Sequence, residues 1–187
     1  MDFYKLISKG YDELYGEEQK IKHDIIKANL NIRNDDLLLD VGCGIGHPFD
    51  CEVVGIDPSM ELLQHTQKLQ NNFWCPRNAK QFYENQQNND KNDYNAINKI
   101  LAKAENMPFK DNVFDKVISV TSMHNFDDFE KGISEIKRVG KKDFAFSILK
   151  KAKDFESIER EIKNNFSIEK IINAKQDWIF ICSKVFK

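Results

Sequence analysis

Closely spaced metal ligands and cysteine pairs are absent from this sequence. Its four cysteines never form a Cys-x-x-Cys pair, and its four histidines are scattered along the chain. Zinc sites need closely spaced ligands and disulfide-stapled domains need many cysteines, so the sequence predicts neither and no metal site is expected. So few thiols are typical of a protein kept in a reducing cytoplasm.

Long apolar runs and an excess of one charge are also missing. No uninterrupted apolar stretch approaches the ~20 residues that a membrane-spanning helix needs, and the first residues lack the basic-then-apolar pattern of a secretory signal. The formal net charge of −2 offers no general attraction to nucleic acid. We therefore expect a cytoplasmic protein without a membrane partner, with nucleic acid a possible but not favoured partner.

The chain length predicts one domain over residues 1–187, because ~150 residues is typical of a single domain. Residues 1–30 carry tyrosines and aliphatic residues at helical spacing, which predicts an N-terminal helical arm. Residues 71–98 are rich in Asn and Gln and almost without aliphatic residues. Such a composition cannot bury enough apolar surface to offset chain ordering, so we expect a mobile insertion there.

Patterns of buried strands alternate with helical patterns. Strand patterns cover residues 37–41, 52–56, 98–103, 114–120 and 142–149, and a helical apolar spacing follows the carboxylates of Asp127 and Asp128. This alternation predicts an α/β fold with a mostly parallel sheet. After a helix that ends near Phe166, two further strands at 167–172 and 178–185 are joined by a short polar link, which is too short for a crossover. The last strand should therefore lie antiparallel in the sheet.

Four segments carry a family resemblance. They are LLDVGCGIG at 38–46, VGIDPS at 54–59, AENMPF at 104–109 and FDKVIS at 114–119. In this order they resemble the motifs of class I S-adenosylmethionine-dependent methyltransferases, and in particular the group of small type 11-like domains. The resemblance implies a three-layer, Rossmann-like methyltransferase fold with a seven-stranded sheet of order 3-2-1-4-5-7-6, strand 7 antiparallel. It also implies S-adenosylmethionine as cofactor and S-adenosylhomocysteine as product.

The glycine-rich segment lies where open parallel sheets bind ligands, at the carboxyl end of the first strand. Gly42, Gly44 and Gly46 have no side chains, so a ligand can approach the backbone closely. Their G-x-G-x-G spacing differs from the G-x-G-x-x-G of dinucleotide-binding loops. A dinucleotide is therefore the less favoured ligand.

Two acidic residues flank this loop. Asp57 ends the second strand, where a carboxylate can accept two hydrogen bonds from a ribose diol; the alternative is a turn-forming Asp before Pro58. The resemblance implies that Asp40 helps to hold the methionyl end of the cofactor, and the alternative is a strand-end cap that satisfies loop amides.

The resemblance also implies adenine contacts at Ala104 and Glu105, with Met107 and Phe109 as apolar cover. Lys103 departs from the pattern, because this position often carries an Asp that accepts from the adenine amino group and Lys has no acceptor. Further cofactor contacts are expected at Cys43, Pro58, Met60 and Val120.

The crossover between the first two strands is unusually short. Only ten residues separate Val41 from Glu52, which is near the minimum of roughly ten to twelve for a parallel crossover. We expect the first crossover helix to be a single turn or absent, although the family usually has about three turns there. Its loss would uncover a sheet face for the N-terminal helices, a protein partner or a second copy to cover.

A catalytic residue is hard to identify, because methyl transfer from a sulfonium chiefly requires alignment and exclusion of water. His124, in the loop after the fourth strand, is the candidate base, and its alternative role is loop ordering or helix capping. The resemblance makes Tyr11 and Tyr15 candidates for a lid over the substrate entrance, and core packing is the other interpretation.

Nothing in the sequence identifies the methyl acceptor. One alternative function is a non-catalytic, cofactor-binding scaffold subunit, which the short crossover and Lys103 favour. Another is a methyltransferase that acts on RNA or on a protein of the translation apparatus, for which basic pairs at 137–138, 141–142 and 150–151 would contact phosphate. Those pairs are also typical of an ordinary solvated face.

Overall fold

The computed structural model describes residues 11–46, 49–67 and 98–185. Most of the expected insertion, from 71 to 97, and the first ten residues of the expected arm lie outside this description. The helices are α1 (Tyr11–Leu30), α2 (Met60–Gln67), α3 (Phe129–Val139) and α4 (Phe155–Asn165). The strands are β1 (Leu37–Val41), β2 (Glu52–Asp57), β3 (Asn98–Leu101), β4 (Phe114–Val120), β5 (Gly140–Leu149), β6 (Phe166–Asn173) and β7 (Asp177–Lys184).

The seven strands form one sheet in the order β3-β2-β1-β4-β5-β7-β6. Neighbouring strands are parallel from β3 to β5, and β7 runs antiparallel to both β5 and β6. Only residues 174–176 join β6 to β7, and Ala174 and Asp177 exchange two backbone hydrogen bonds of 3.0 and 2.9 Å across this link. The predicted sheet order is confirmed. The reversed last strand is confirmed as well, because so short a link permits only a hairpin.

One helix start is as predicted and one helix end is not. The Asp128 carboxylate accepts a hydrogen bond from the backbone N–H of Lys131, so α3 begins one residue after this cap, as the carboxylates at 127 and 128 indicated. Phe166, expected at the end of a helix, is the first residue of β6 and does not belong to α4. Its ring packs on the sheet at centroid distances of 4.6 Å from Phe144 and 5.2 Å from Phe146, and this tertiary contact outweighs the helical spacing of the sequence.

The sheet has a buried apolar cluster on each face. On one face, residues of β1, β2, β4 and β5 such as Leu39 and Val117 pack against Ile133 of α3 and Ile162 of α4. On the other face, Ile26 and Leu30 of α1 share a cluster with side chains of β1, β2, β4, β5 and β7. Alternate strand residues therefore contribute to opposite cores, as a sheet covered on both sides requires.

The crossover from β1 to β2 contains no helical residue in its described parts, 42–46 and 49–51. Phe49 and Cys51 of this segment are buried in the same cluster as Ile26 of α1. The N-terminal helix and the crossover itself thus cover apolar surface on the face that we expected a lost helix to expose. Within the described ranges, no helix combines the length and apolarity that a membrane span would need.

Candidate functional site

The glycine-rich loop is a tight bend at the carboxyl end of β1. Gly42, Gly44 and Gly46 have φ angles of +74°, +53° and +77°, a left-handed backbone that favours glycine. The amides of Gly42 and Cys43 donate to the carbonyl of Ile56 at 2.8 and 3.0 Å, which attaches the bend to the end of β2. The Gly46 amide donates to the Cys43 carbonyl at 2.7 Å and closes the turn.

Ser122 fixes the start of this loop against β4. A Cβ added to Gly42 would lie 2.5 Å from the Ser122 Cβ and 2.7 Å from its Oγ. The Ser122 hydroxyl donates to the Val41 carbonyl at 2.8 Å, and its Oγ lies 2.6 Å from the Oγ of Ser119. Sequence reasoning did not find this contact, because Ser122 and Val41 are 81 residues apart and meet only when β1 pairs with β4.

Asp57 shapes the loop through both carboxylate oxygens. Oδ2 accepts from the Gly44 amide at 2.9 Å, and Oδ1 accepts from the Ser59 amide at 2.8 Å. Burial raises the pKa of Asp57, and these two backbone hydrogen bonds oppose the rise. The turn-forming interpretation is thus correct, since Asp57 bonds two residues ahead. Each oxygen retains a lone pair, so the same carboxylate can still accept hydroxyl groups.

Asp40, in β1 just before the loop, is a buried residue that is only 3% exposed. Burial raises its pKa to about 7, the charge of Asp57 adds to the rise, and Lys99 opposes it. The loop amide of Gly44 donates to Asp57 and not to Asp40, and the strand-end cap stays a prediction for Asp40. A buried carboxyl with a pKa raised to about 7 is typical of a functional site.

Lys99 of β3 is a cation that sequence reasoning missed. Its Nζ donates to the carbonyl of Ile45 in the glycine-rich loop. Burial lowers the pKa of Lys99, whereas the charges of Cys43, Asp40 and Asp57 oppose this shift. The signal in the sequence was a lysine inside a strand of a buried sheet, five residues before the expected adenine contact Ala104.

The loop between β3 and β4 carries the expected adenine contacts. The Ala104 side chain is buried in the core beneath α3, so only its backbone is available to a ligand. Oε1 of Glu105 accepts from the Asp128 amide at 3.1 Å at the start of α3. Lys103 pairs with Asp127 at 2.6 Å, and both side chains are exposed. The predicted apolar cover is wrong for Met107 and Phe109, which belong to that same core.

Arg138 of α3 holds this loop in place. Its guanidinium donates to the carbonyls of Phe109 and Met107 at 2.7 and 3.2 Å, and it pairs with Glu135 at 2.6 Å. Glu135 in turn accepts from the Met107 amide at 3.0 Å. A planar group with several donors can satisfy two carbonyls and a carboxylate at once, so the loop conformation depends on α3.

The other predicted cofactor contacts lie along the same edge of the sheet. Cys43 is in the glycine-rich loop, and burial raises the pKa of its thiol, which keeps it neutral. Met60 begins α2 with 44% of its surface exposed, and exposed Pro58 precedes it. Val120 is half-buried at the end of β4. These residues follow or end β1, β2 and β4, the three neighbouring strands at the centre of the predicted site.

His124 lies in a short 3₁₀ turn, Met123–Asn125, after β4. Its Nδ1 is buried and has no hydrogen-bond partner within the described parts of the chain. Burial lowers the pKa of His124, Asp177 opposes this shift and Lys22 adds to it. The imidazole is therefore held in the neutral form that a proton acceptor requires.

Next to His124 is a buried polar cluster formed by Lys22, Thr121, Ser147 and Asp177. Nζ of Lys22 lies 2.9 Å from Oδ1 of Asp177 and donates to Oγ1 of Thr121 at 2.9 Å. Oδ2 of Asp177 accepts from Thr121 at 2.8 Å and from Ser147 at 2.5 Å. The cluster joins α1 to the ends of β4, β5 and β7. Sequence reasoning missed it, because its members come from four separate segments.

The two tyrosines of the expected lid lie in the first turns of α1. The side chains of Tyr11 and Tyr15 fall outside the description, so the lid remains a prediction.

Known proteins resemble this chain over most of its length. A family model described as a methyltransferase domain matches residues 39–148. An uncharacterized protein of Methanocaldococcus jannaschii is 28% identical over 181 residues, which is 92% of this chain and 60% of that protein. The chain thus spans about three fifths of the length of this relative.

Solved structures share the fold. A putative S-adenosylmethionine-dependent methyltransferase from Methanococcus maripaludis is 18% identical, with a TM-score of 0.69 over 98% of this chain and 92% of that one. The complex of the Haloferax volcanii Trm112 methyltransferase activator with a putative methyltransferase gives a TM-score of 0.73 at 12% identity, over 100% of this chain and 99% of that one. Because the family model covers more than half of the sequence and the sheet has the order that the motifs imply, the chain belongs to the class I S-adenosylmethionine-dependent methyltransferases.

Proposed function

We propose that this chain binds S-adenosylmethionine at the carboxyl ends of β1 and β2 and transfers its methyl group to an acceptor. The observation that carries the proposal is the buried Asp40 carboxyl beside the glycine-rich loop, whose pKa burial raises to about 7. A cationic ligand group would favour its charged form, and burial would strengthen that interaction. The cofactor has such a group in the ammonium of its methionyl end.

The residues of this edge fit the rest of the cofactor. The three left-handed glycines leave backbone exposed where a side chain would otherwise stand. Asp57 retains acceptor capacity on both oxygens for a ribose diol. The backbone of Ala104 and the free oxygen of Glu105 are the candidates for adenine.

The bound cofactor would supply an electrophilic methyl group and a neutral thioether leaving group. The task of the chain is then to orient the acceptor, exclude water and receive a proton where the acceptor carries one. His124 is the candidate base, because its imidazole is held neutral and its Nδ1 makes no hydrogen bond in the described structure. Substituting His124 with Gln would test this role through the rate of transfer at unchanged cofactor affinity.

The sharpest test of the cofactor site combines a protein change with a ligand change. Calorimetry would compare S-adenosylhomocysteine with its 2′-deoxy analogue on the wild type, on Asp57→Asn and on the control Asp154→Asn, an exposed residue with no side-chain cap bond. We expect the wild type and the control to lose affinity by about 1.5 to 3 kcal/mol when the ribose hydroxyl is removed. In Asp57→Asn this difference should largely vanish.

Comparing two ligands on each variant separates ribose binding by Asp57 from its role in shaping the loop. Distortion of the loop would weaken the binding of both ligands equally. A wild type that binds neither ligand would contradict the proposed function. Equal affinity for the two ligands in the wild type would contradict only the ribose assignment.

A non-catalytic scaffold is a second candidate, favoured by the crossover without a described helix and by Lys103, which is engaged with Asp127. The Haloferax methyltransferase that is bound to an activator has the same fold, so a protein partner is part of this candidate. Transfer of labelled methyl groups into cell extract would decide between the two. Cofactor binding without any transfer, in extract that supplies partners and acceptors, would favour the scaffold.

An RNA or translation-apparatus acceptor has less support from the described surface. Three of the basic residues that suggested it are already engaged: Arg138 pairs with Glu135 and Asp111, Lys141 with Asp115, and Lys150 donates to Asn173. Binding to RNA that weakens steeply with salt would revive this candidate, and no binding at low salt would remove it.

A further inference from the structure

Asp40, Gly55 and Lys99 form a row across three neighbouring strands. Asp40 of β1 is paired with Gly55 of β2, and Gly55 is paired with Lys99 of β3. Paired residues of parallel strands direct their side chains to the same face, and neighbouring strands lie ~4.8 Å apart. The two ionisable residues of the row are therefore separated only by a residue without a side chain.

The lysine side chain extends over this gap. Its Nζ donates to the carbonyl of Ile45, in the loop that follows β1, although Lys99 itself belongs to β3. Because β2 lies between these two strands, the side chain must cross β2 near Gly55 and Asp57.

The contact from Lys99 gives the Ile45 carbonyl a hydrogen bond that a crossover helix would otherwise provide. In an α-helix a carbonyl accepts the amide four residues later, but the described parts of the crossover contain no helical residue. The lysine donates to the Ile45 carbonyl instead. A helix starting in this crossover would also have presented a partial positive charge to the two acids, and the ammonium supplies a full one.

The balance of charge supports the same role. Asp40 projects from β1 and Asp57 from β2, with the Cys43 thiol in the loop and Lys99 on β3. Among these groups Lys99 is the one cation, and its charge opposes the rise in the pKa of both carboxyls. Without it, burial and the charge of Asp57 would raise the pKa of Asp40 further.

We propose that Lys99 is a positioning residue of the cofactor site, whose ammonium crosses Gly55 to hold the glycine-rich loop and to balance Asp40 and Asp57. The inference rests on the proposed function where it concerns cofactor binding. The part that concerns the loop stands without any ligand.

The loop is tested first on the unliganded protein, by hydrogen exchange of the Gly44 and Gly46 amides. In Lys99→Met both amides should exchange at least ~10-fold faster than in the wild type, since the substitution removes one charged hydrogen bond from the loop. Lys116→Met is the matched control, because Lys116 is also a buried strand lysine, paired with Asp143 at 2.6 Å, outside the loop. It should leave the two amides unchanged. Lys99→Arg should restore slow exchange.

The second readout is the pH profile of S-adenosylhomocysteine affinity. Affinity should rise with pH as Asp40 ionises, and Lys99→Met should move the midpoint of this rise to higher pH and weaken binding ~10-fold near neutrality. Lys99→Arg should keep the wild-type midpoint, and Lys116→Met should not move it.

The outcomes separate the two proposals. A wild type that does not bind the ligand would refute the proposed function, and amide exchange would still decide the role of Lys99 in the loop. Unchanged exchange in Lys99→Met would overturn the loop role. An unchanged midpoint in that variant, with the wild type binding, would overturn the charge-balancing role.

Discussion

The Lys22 ammonium lies 2.9 Å from Oδ1 of Asp177, and the two side chains are 4% and 0% exposed. Lys22 comes from the middle of α1, and Asp177 is the first residue of β7. Thr121, which adopts a φ angle of +54°, bonds to both. This ion pair therefore fixes the N-terminal helix to the start of β7 and to the end of β4.

Loss of one partner of this pair should be costly. Asp177→Asn leaves the buried ammonium with Glu18, at 3.3 Å, as its ionic partner among the described residues, and we expect the free energy of unfolding to fall by about 3 kcal/mol. Glu159→Gln is the control, because Glu159 pairs with Lys163 near the surface; its cost should stay below about 1 kcal/mol. Urea denaturation measures both changes. Equal costs would show that burial does not distinguish the two pairs.

The same pair should control the titration of His124. We expect NMR titration to give His124 a pKa below its ordinary value of 6.5, because its half-buried ring is partly removed from water. Lys22→Met removes a charge that lowers this pKa and leaves Asp177 unopposed, so the pKa should rise. Asp177→Asn should lower it further. A histidine that titrates normally in all three proteins would contradict the buried placement of its ring.

Asp40 should make the stability of the unliganded protein depend on pH. Its folded pKa of about 7 exceeds the ordinary value of 3.8, so between these values the folded state binds more protons than the unfolded state. The contribution of Asp40 to the free energy of unfolding is fully present below a pH of 3.8 and is lost as the pH rises through about 7. Between these values the free energy of unfolding falls by up to ~1.4 kcal/mol per pH unit.

The check is urea denaturation at about pH 5 and about pH 8. Asp40→Asn should flatten the difference between the two conditions, whereas the exposed control Asp154→Asn should retain it. If Asp40→Asn keeps the wild-type dependence, another group is responsible for it.

The first two glycines of the loop should differ in their tolerance of alanine. At Gly44 the nearest atom to an added Cβ is Cδ1 of Leu62 at 3.9 Å, so Gly44→Ala should cost only the left-handed strain of about 1 to 2 kcal/mol. Gly42→Ala adds a clash with Ser122 at 2.5 Å and should cost about 3 kcal/mol or more. Adding Ser122→Gly to Gly42→Ala should recover part of the lost free energy of unfolding, as measured by urea denaturation. No recovery would mean that Ser122 is not the obstacle.

Most of the sheet was predictable because each strand has a local signature. The continuous apolar run at β1 and the predicted limits of β4 match the structure, and the three-residue link between β6 and β7 required a hairpin. Phe166 shows where local pattern fails, since its helical spacing was overruled by packing against Phe144 and Phe146. Met107 and Phe109 were placed beside adenine because a motif gives the order of residues and not the face toward which they point.

The candidate site was predictable only in part. The glycine spacing and the position of Asp57 after a strand indicated a ligand at this edge, and both lie together in the structure. Lys99, Ser122 and the Lys22–Asp177 pair were not predicted. Each of these contacts joins side chains of separate strands or of a helix and a strand, so it depends on strand register, which single-sequence patterns do not contain.

The amino-acid sequence by itself determined the strands and the short crossover, because apolar runs, glycine positions and segment lengths act locally along the chain. Its four motifs determined the family and the strand order through their resemblance to known methyltransferases. Tertiary structure alone decided which charges meet: that Asp40 is buried near Asp57 and Lys99, that Lys99 reaches across β2, and that Lys22 neutralises Asp177. The physical reason is that the energy of a charge depends on its burial and on neighbours within a few ångströms, and both exist only after the sheet has formed.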